Sequence, residues 1–415
     1  PAEGNGVTVR STPGVVDEND VQGRLMALAD ELRASGDLRS DAWRDVFMRT
    51  WRHTFVPRFY VKDDPRDWRA PWRVVDGARP DDRAEWLDGV YSNQTLITEL
   101  NNQPVPEELG GGTAQTIMSS STLPGLMVSM LETLDVLDGQ QVLEIGTGTG
   151  YNAALLSGRV GDRKVTSVDI GPALVDAARH RLADHGFHPH LIANNGERGV
   201  PERAPFDRII ATCGTARVPY AWVRQTRPGG VILANVSGPL MPGALARMTV
   251  TDDGTAVGPF QPGFAAFMPL RDDPDNPYTP PAAPTLASDD GVETLSWLSP
   301  HPLHPIGGSS PWGFFVQVVL PGLHVRRAYL HDDDLATKLS TPDGSWALVA
   351  HTPQNGCYRT IQGGSRRLWD LLEAAHQHWS QLGEPGWERF GLTVTADRHW
   401  IWLDAPDGEH HWPMA

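Results

Sequence analysis

The stretch Val142-Leu143-Glu144-Ile145-Gly146-Thr147-Gly148-Thr149-Gly150 decides how this chain reads. A short apolar strand, Gln141–Ile145, runs straight into a glycine loop, and a helix begins beyond it over Asn152–Ser157. Glycines remove Cβ atoms where backbone must turn sharply or touch a ligand. The helix start behind them offers N–H groups that have no partner inside the helix. A dinucleotide-binding loop would space its glycines G-x-G-x-x-G and receive a pyrophosphate. Here the spacing is E-x-G-x-G-x-G.

An acid at the strand end repels a pyrophosphate. Glu144 instead suits a cationic ligand, and the sulfonium and ammonium of S-adenosyl-L-methionine meet that requirement. Downstream, strands Lys164–Ile170, His190–Ala193, Phe206–Thr212 and Val231–Val236 alternate with helical segments such as Pro172–His185. That alternation predicts an α/β fold with a parallel sheet wound by right-handed crossovers. Asp169 follows Gly150 by nineteen positions, where this topology sets an acid against ribose hydroxyls. The expected cofactor residues are Glu144, Gly146, Thr147, Gly148, Gly150, Asp169, Ile170, Asn195, Gly196 and Thr212, with Asn195 and Gly196 beside the adenine.

Outward from this segment the grammar changes. Residues 1 to about 20 read as a frayed tail. Leu25, Leu28, Leu32 and Leu38 recur at roughly helical spacing, and a second helix starts near Ser40 and Asp41 with Trp43, Val46, Phe47 and Trp51 on one side. From His53 to Gly110 the chain reads as loops with short elements, closed by the breaker Gly110-Gly111-Gly112. Leu126–Leu137 is a further predicted helix. Asp272 to Pro284, dense in Asp and Pro, reads as a linker. Beyond it, strands are expected at Phe314–Leu320, Trp346–His351, Cys357–Ile361, Leu392–Thr395 and Trp400–Leu403. An amphipathic helix from near Ser365 carries Leu368, Trp369, Leu372, Ala375 and Trp379. The expected organisation is a helical and loop region over 1–112, a Rossmann-like domain over 113–271, a linker over 272–285 and a C-terminal α+β domain over 286–415.

The 415 residues are 40% hydrophobic and 21% charged, an ordinary globular balance. Two cysteines, Cys213 and Cys357, form no framework and suit a reducing cytoplasm. The N-terminus lacks the basic and apolar regions of a signal peptide, and no apolar run is long enough to span a membrane. A net charge of −16 argues against nucleic acid as the main partner. The histidines His180, His185, His188 and His190 lack metal-ligand spacing, so no metal is expected.

The glycine motif followed by Tyr151 resembles the signature of protein-L-isoaspartate O-methyltransferases. So do Pro205-Phe206-Asp207-Arg208-Ile209-Ile210-Ala211-Thr212, Val218-Pro219 and Gly229-Gly230-Val231-Ile232-Leu233. Upstream, His53-Thr54-Phe55-Val56-Pro57 and Gln115-Thr116-Ile117 with the serines and Pro124 resemble the same family over roughly residues 40 to 240. There are departures. Asn194-Asn195-Gly196 stands where the family usually has Gly-Asp-Gly, the serine segment is long, Asn101–Gly112 is inserted, and the chain continues about 165 residues past 250. That extension is similar to a branch that esterifies an L-Asp in ribosomally made precursor peptides, the ester then closing to an aspartimide. Phe267-Met268-Pro269-Leu270-Arg271 and the region from Arg366 to Val394 share the look of that branch.

The resemblance implies a class I methyltransferase fold and methyl transfer to a carboxylate, with S-adenosyl-L-homocysteine as product. An Asp-containing or precursor peptide is the expected partner, and repair of isoaspartate in damaged proteins is the alternative. Hydroxyls of Ser119, Ser120, Ser121 or Thr122 are candidates to hold the substrate, with Thr98 and Arg217 as further substrate-binding candidates. For each serine, an N-cap or turn before the next helix is an equal reading. Arg326-Arg327 and Arg366-Arg367 offer bidentate pairing to acids, or plain solvated charge.

Overall fold

The computed structural model describes residues 16–64, 70–104, 113–240, 243–272, 291–301, 310–330 and 334–414. The tail before residue 16, the Gly110–Gly112 breaker and the linker from 273 lie outside the described residues. The described residues up to Asn195 form one unit and those from Gly196 onward another.

The first unit opens with α1 (Glu18–Ser35), capped by the Asp17 carboxylate and ended at Gly36 in the left-handed conformation. Leu25, Leu28 and Leu32 are buried as expected, while Leu38 is buried beyond the helix end. In α2 (Asp41–Arg49) the Ser40 hydroxyl accepts from the Trp43 amide at 3.3 Å. The Glu132 carboxylate accepts from the amides of Arg39 and Ser40 at 2.8 and 2.7 Å, which ties this corner to a later helix. The short α3 (Arg52–Phe55) follows.

The stretch read as loops holds more regular structure than expected. Strands β1 (Arg58–Lys62) and β2 (Trp72–Asp76), helix α4 (Arg83–Val90), and strands β3 (Leu96–Pro104) and β4 (Thr113–Ser121) build a four-stranded antiparallel sheet in the order β2-β1-β3-β4. Its strands carry few strictly alternating apolar residues. Phe59 and Val75 are the buried residues of β1 and β2, and the sheet is held by pairing that sequence periodicity does not register. The serine segment is therefore strand to Ser121 and not a helix-capping loop. The helix after it, α5 (Pro124–Leu134), is preceded by Leu123 and has no side-chain cap of its own. Instead the Asn93 and Thr95 side chains accept from the amides of Gly125 and Leu123 at 2.8 and 3.2 Å.

Next come β5 (Val142–Ile145), α6 (Tyr151–Val160), β6 (Val165–Asp169), α7 (Pro172–Asp184) and β7 (His190–Ala193). The three strands are parallel neighbours, with Val142 opposite Val165 and Thr166 opposite His190. All four residues of β5 are buried, which is why it reads as a continuous apolar run.

The second unit starts with β8 (Phe206–Thr215), α8 (Tyr220–Gln225) and β9 (Thr226–Val236), again a parallel pair. Strands β10 (Ala244–Val250) and β11 (Ala256–Pro259) then run antiparallel. A separate five-stranded antiparallel sheet holds β12 (Val292–Ser296), β13 (His324–Tyr329), β14 (Leu335–Ser340), β15 (Trp346–Ala350) and β16 (Tyr358–Gly363), in the order β12-β16-β15-β14-β13. Helix α9 (Pro311–Val319) precedes β13, and α10 (Leu368–Gln381) packs on β15 and β16, burying Leu368, Trp369 and Leu372.

Two expectations need correction here. Phe314–Leu320 is helical, not a strand. Ser310 caps the Gly313 amide at 3.1 Å and Pro311 occupies the first turn, so the signals before the apolar run outweigh its strand-like composition. Nor does the C-terminal segment stand apart as a domain. Strands β17 (Phe390–Val394), β18 (His399–Leu403) and β19 (His411–Pro413) return to β11, where Ala256 pairs with Val394 and Pro259 with Gly391. Residues expected on opposite sides of a linker thus share one sheet.

Phe314 anchors this return, its ring lying 5.0, 5.0 and 5.1 Å from those of Phe260, Trp387 and Phe390. Replacing it with Ala removes a buried aromatic and leaves a cavity, which costs about 3–5 kcal/mol. Denaturant unfolding of Phe314→Ala should show that loss.

Candidate functional site

Everything at the glycine loop follows from the end of β5. Gly146, Gly148 and Gly150 have φ of 101°, 51° and 88°, the left-handed region that a side chain disfavours. The Gly146 amide donates to the Val168 carbonyl at 2.8 Å, which ties the loop to β6. The Thr147 hydroxyl shares a 2.6 Å hydrogen bond with Ser167. Asp169, at the end of β6, accepts from the Gly148 amide at 2.9 Å and from the Gly171 amide at 3.1 Å, one bond to each oxygen. A carboxylate oxygen has two acceptor sites, so each retains one for a ligand hydroxyl. Ile170 beside it is half-buried.

Glu144 is placed differently from a residue open to a ligand. It is fully buried, and its oxygens accept from Asn152 Nδ2 at 2.7 Å and Ser167 Oγ at 2.5 Å. Burial pushes its carboxyl up to about 7, against the lowering effect of those two donors and with a small raising contribution from Asp169. Its visible work is to join α6 to β6 beneath the loop.

The serine strand meets the glycine loop. A methyl group built on Gly148 would lie 3.7 Å from the Ser120 carbonyl oxygen and 3.9 Å from Ser119 Oγ. Ser119 and Ser121 are buried, and Ser120 and Thr122 half-buried. Between Ile97, opposite Ser120, and Glu99, opposite Ser119, the register shifts and Thr98 bulges out of the ladder. Its hydroxyl is buried and has no hydrogen-bond partner among the described residues. An unpaired buried donor is costly, and bulges re-aim side chains near sites of function.

Sequence reasoning missed the residue that organises this edge. Arg52 is 1% exposed. Its Nη2 donates to the carbonyls of Gln94, Ser121 and Thr122 at 3.0, 3.1 and 3.0 Å, and Nη1 to those of Val90 and Ser92 at 3.1 and 3.2 Å. Its Nε reaches Ser121 Oγ at 3.3 Å. Burial lowers its pKa to about 10, so it remains charged at neutral pH. Position 52 precedes the His53–Pro57 motif, and an arginine beside an apolar helix was the available signal. Next to it His53 shares a 2.6 Å bond with the Tyr91 hydroxyl, and burial, then the His185 charge, lowers its pKa to about 4.

The remaining expected residues lie as follows. Asn195 is half-buried after β7, and its amide donates to Asn194 Oδ1 at 2.8 Å. In the second unit, the buried Gly196 accepts from Trp222 Nε1 at 2.8 Å, and Thr212 and Cys213 are half-buried on β8. Arg217 is exposed past the end of β8. The Phe267–Leu270 segment pairs with that same strand end, where Gly214 donates to the Met268 carbonyl at 2.8 Å and accepts from the Leu270 amide at 2.7 Å. Among the described residues no helix is long and apolar enough to cross a membrane, and no group of three side chains is arranged to hold a metal ion.

Three outcomes follow. Arg52→Met leaves several buried acceptors unpaired at about 1–3 kcal/mol each, so it should unfold at markedly lower denaturant. Arg52→Lys keeps the charge but not the planar fork, and should fold with weakened hold on β4. Glu144 has a folded pKa above its unfolded value, so its contribution is most favourable below about 4.5 and is lost as pH rises toward about 7. Glu144→Gln should therefore lose less stability than the parent chain across that window, measured by denaturant midpoints at each pH.

Comparison with known proteins bears on what this arrangement is. The family described as protein-L-isoaspartate(D-aspartate) O-methyltransferase matches residues 82–271. The protein-L-isoaspartate O-methyltransferase of Pyrococcus horikoshii is 29% identical over 258 residues, 62% of this chain and 96% of its own length. That of Thermococcus onnurineus is 30% identical over 243 residues, 58% of this chain and 90% of its own length. A solved protein-L-isoaspartate O-methyltransferase structure aligns with a TM-score of 0.48 at 20% identity, covering 92% of this chain and all of its own. The chain belongs to the protein-L-isoaspartate O-methyltransferase family, whose enzymes are S-adenosyl-L-methionine-dependent O-methyltransferases.

Proposed function

We propose that the chain methylates a side-chain carboxylate within a peptide, with isoaspartate as the preferred form of that residue. The observation that carries the reading is the approach of Gly148 to Ser119 and Ser120, which puts hydroxyl and carbonyl groups of β4 against the cofactor-type loop. The names of the relatives favour isoaspartate as the substrate.

The residues present fit the methyl donor. The loop from Gly146 to Gly150 holds its three glycines at positive φ, as a tight cofactor-type turn requires, Asp169 keeps acceptor sites for ribose hydroxyls, and Asn195 stands at the next strand end for the adenine. When bound, S-adenosyl-L-methionine supplies an electrophilic methyl carbon. A substrate carboxylate is already ionised near pH 7, so the protein need not remove a proton. Its task is to orient one carboxylate oxygen in line and to exclude water. Ser119, Ser120 and Ser121 on β4 and Thr122 just past its end offer that orientation, and the unpaired Thr98 hydroxyl offers a donor from β3. Arg52 acts through them by fixing the β4 end, so it is a positioning residue.

A second reading has its own observation. The family matches to residue 271, yet the chain builds a further sheet and returns three strands to β11. Such an addition suits an enzyme that grips one long peptide and esterifies an ordinary L-Asp in it. The following backbone nitrogen then attacks the ester carbonyl, methanol leaves with the amide proton, and an aspartimide forms.

Mass spectrometry of two matched peptides, one with isoAsp and one with L-Asp, separates these readings. Methyl gain on the isoAsp peptide alone is the expected result. Methyl gain and then net loss of water on the L-Asp peptide alone would replace it with the second reading. No turnover of either peptide, with S-adenosyl-L-homocysteine binding intact, would contradict both.

A further inference from the structure

Strand β13 is the outer strand of the five-stranded sheet, and no described strand pairs with its far side. Its register sets Arg326 directly opposite Lys338 of β14, on the same face. Like charges directly opposed across an antiparallel pair are destabilising. Arg326 is exposed and Lys338 half-buried, and among the described residues no carboxylate pairs with either. Burial, and then the Arg326 charge, lowers the Lys338 pKa. The opposite edge of the same sheet is built otherwise. There Arg359 of β16 meets Glu293 of β12 at 2.8 Å, so the sheet neutralises its own charge. Tyr329, 67% exposed, is the last residue of β13.

A charge on an edge strand often serves to block aggregation. That role needs one cation facing solvent. It does not need a second placed opposite it on the interior strand, where the two repel in a chain of net charge −16. An anionic partner removes the repulsion, and an open strand edge offers it backbone hydrogen bonds.

We propose that β13, with Arg326 facing Lys338, docks an extended acidic peptide segment. Repeated carboxylates of that segment would sit over the cation pair while its backbone pairs with the free edge. The proposal rests on the carboxylate-methylating reading for the source of the segment, which flanks the methylated residue in the substrate. The outer edge of β13 favours a peptide over a nucleic acid, because a peptide backbone can pair with a strand edge.

The test uses the full chain and a fluorescein-labelled octapeptide in which Asp alternates with Thr, with an Asn-for-Asp twin. Anisotropy should show binding of the Asp peptide alone, weakened by added salt and reduced about tenfold by Arg326→Ala or Lys338→Ala. The Tm of Arg326→Ala should equal or exceed that of the parent, because a repulsion is gone, so lost binding would not reflect unfolding. Unchanged peptide affinity in both variants would overturn the proposal. So would a clear fall in Tm, or equally tight binding of a single-stranded oligonucleotide of the same charge. No methyl transfer is needed for this readout. A chain that binds the peptide but methylates neither isoAsp nor L-Asp keeps the docking site and loses the catalytic reading, and the converse result separates them equally.

Discussion

The buried guanidinium of Arg52 is the constraint on which the candidate site depends. It is a full charge with no carboxylate against it among the described residues, satisfied by five carbonyls and one hydroxyl from the Val90–Gln94 and Ser121–Thr122 segments. Such a group tolerates only one arrangement of its acceptors, because a displaced carbonyl leaves a buried donor unpaired. The end of β4 is held in this way, and through it the serines that face Gly148. The loop has its own anchor in Glu144, which clasps Asn152 and Ser167, and in Asp169, which holds the Gly148 amide. Two polar networks therefore present two backbone edges to one another inside a single unit. One edge carries cofactor-type chemistry and the other carries hydroxyls.

What the sequence made legible follows from how local its signals are. The run from Val142 to Gly150 announced a buried strand and a glycine loop because both depend on neighbouring residues. Asp169 was placed at the end of β6 by the spacing of alternating elements alone. The four-stranded sheet of the first unit was not legible, since its pairing joins residues such as Tyr60 and Ile97 that share no periodic pattern. Arg52 stood out only as an arginine beside an apolar helix, and its role was not legible for the same reason: its acceptors lie 38 to 70 positions away. Phe314 went to a helix against its apolar composition because Ser310 and Pro311 set the start. Glu144 was expected to face a cation, whereas its position is buried beneath the loop with both oxygens engaged.

The residues past 271 extend the scaffold in two ways. Strands β17 to β19 are absorbed into the sheet that contains β8 to β11, with Phe314 and its aromatic neighbours filling the space behind them. The five-stranded sheet has α10 packed on β15 and β16 and keeps an outer strand. One part is a stabilising continuation of the core, and the other offers charge and an edge that no described strand pairs.

The central claim is that the glycine loop and the serine strand form one site. Hydrogen–deuterium exchange on the full chain, with and without S-adenosyl-L-homocysteine, tests it most directly. The account predicts slowed exchange together at residues 146–150 and along β4 near 119–121. Slowing confined to the loop, with β4 unaffected, would contradict it.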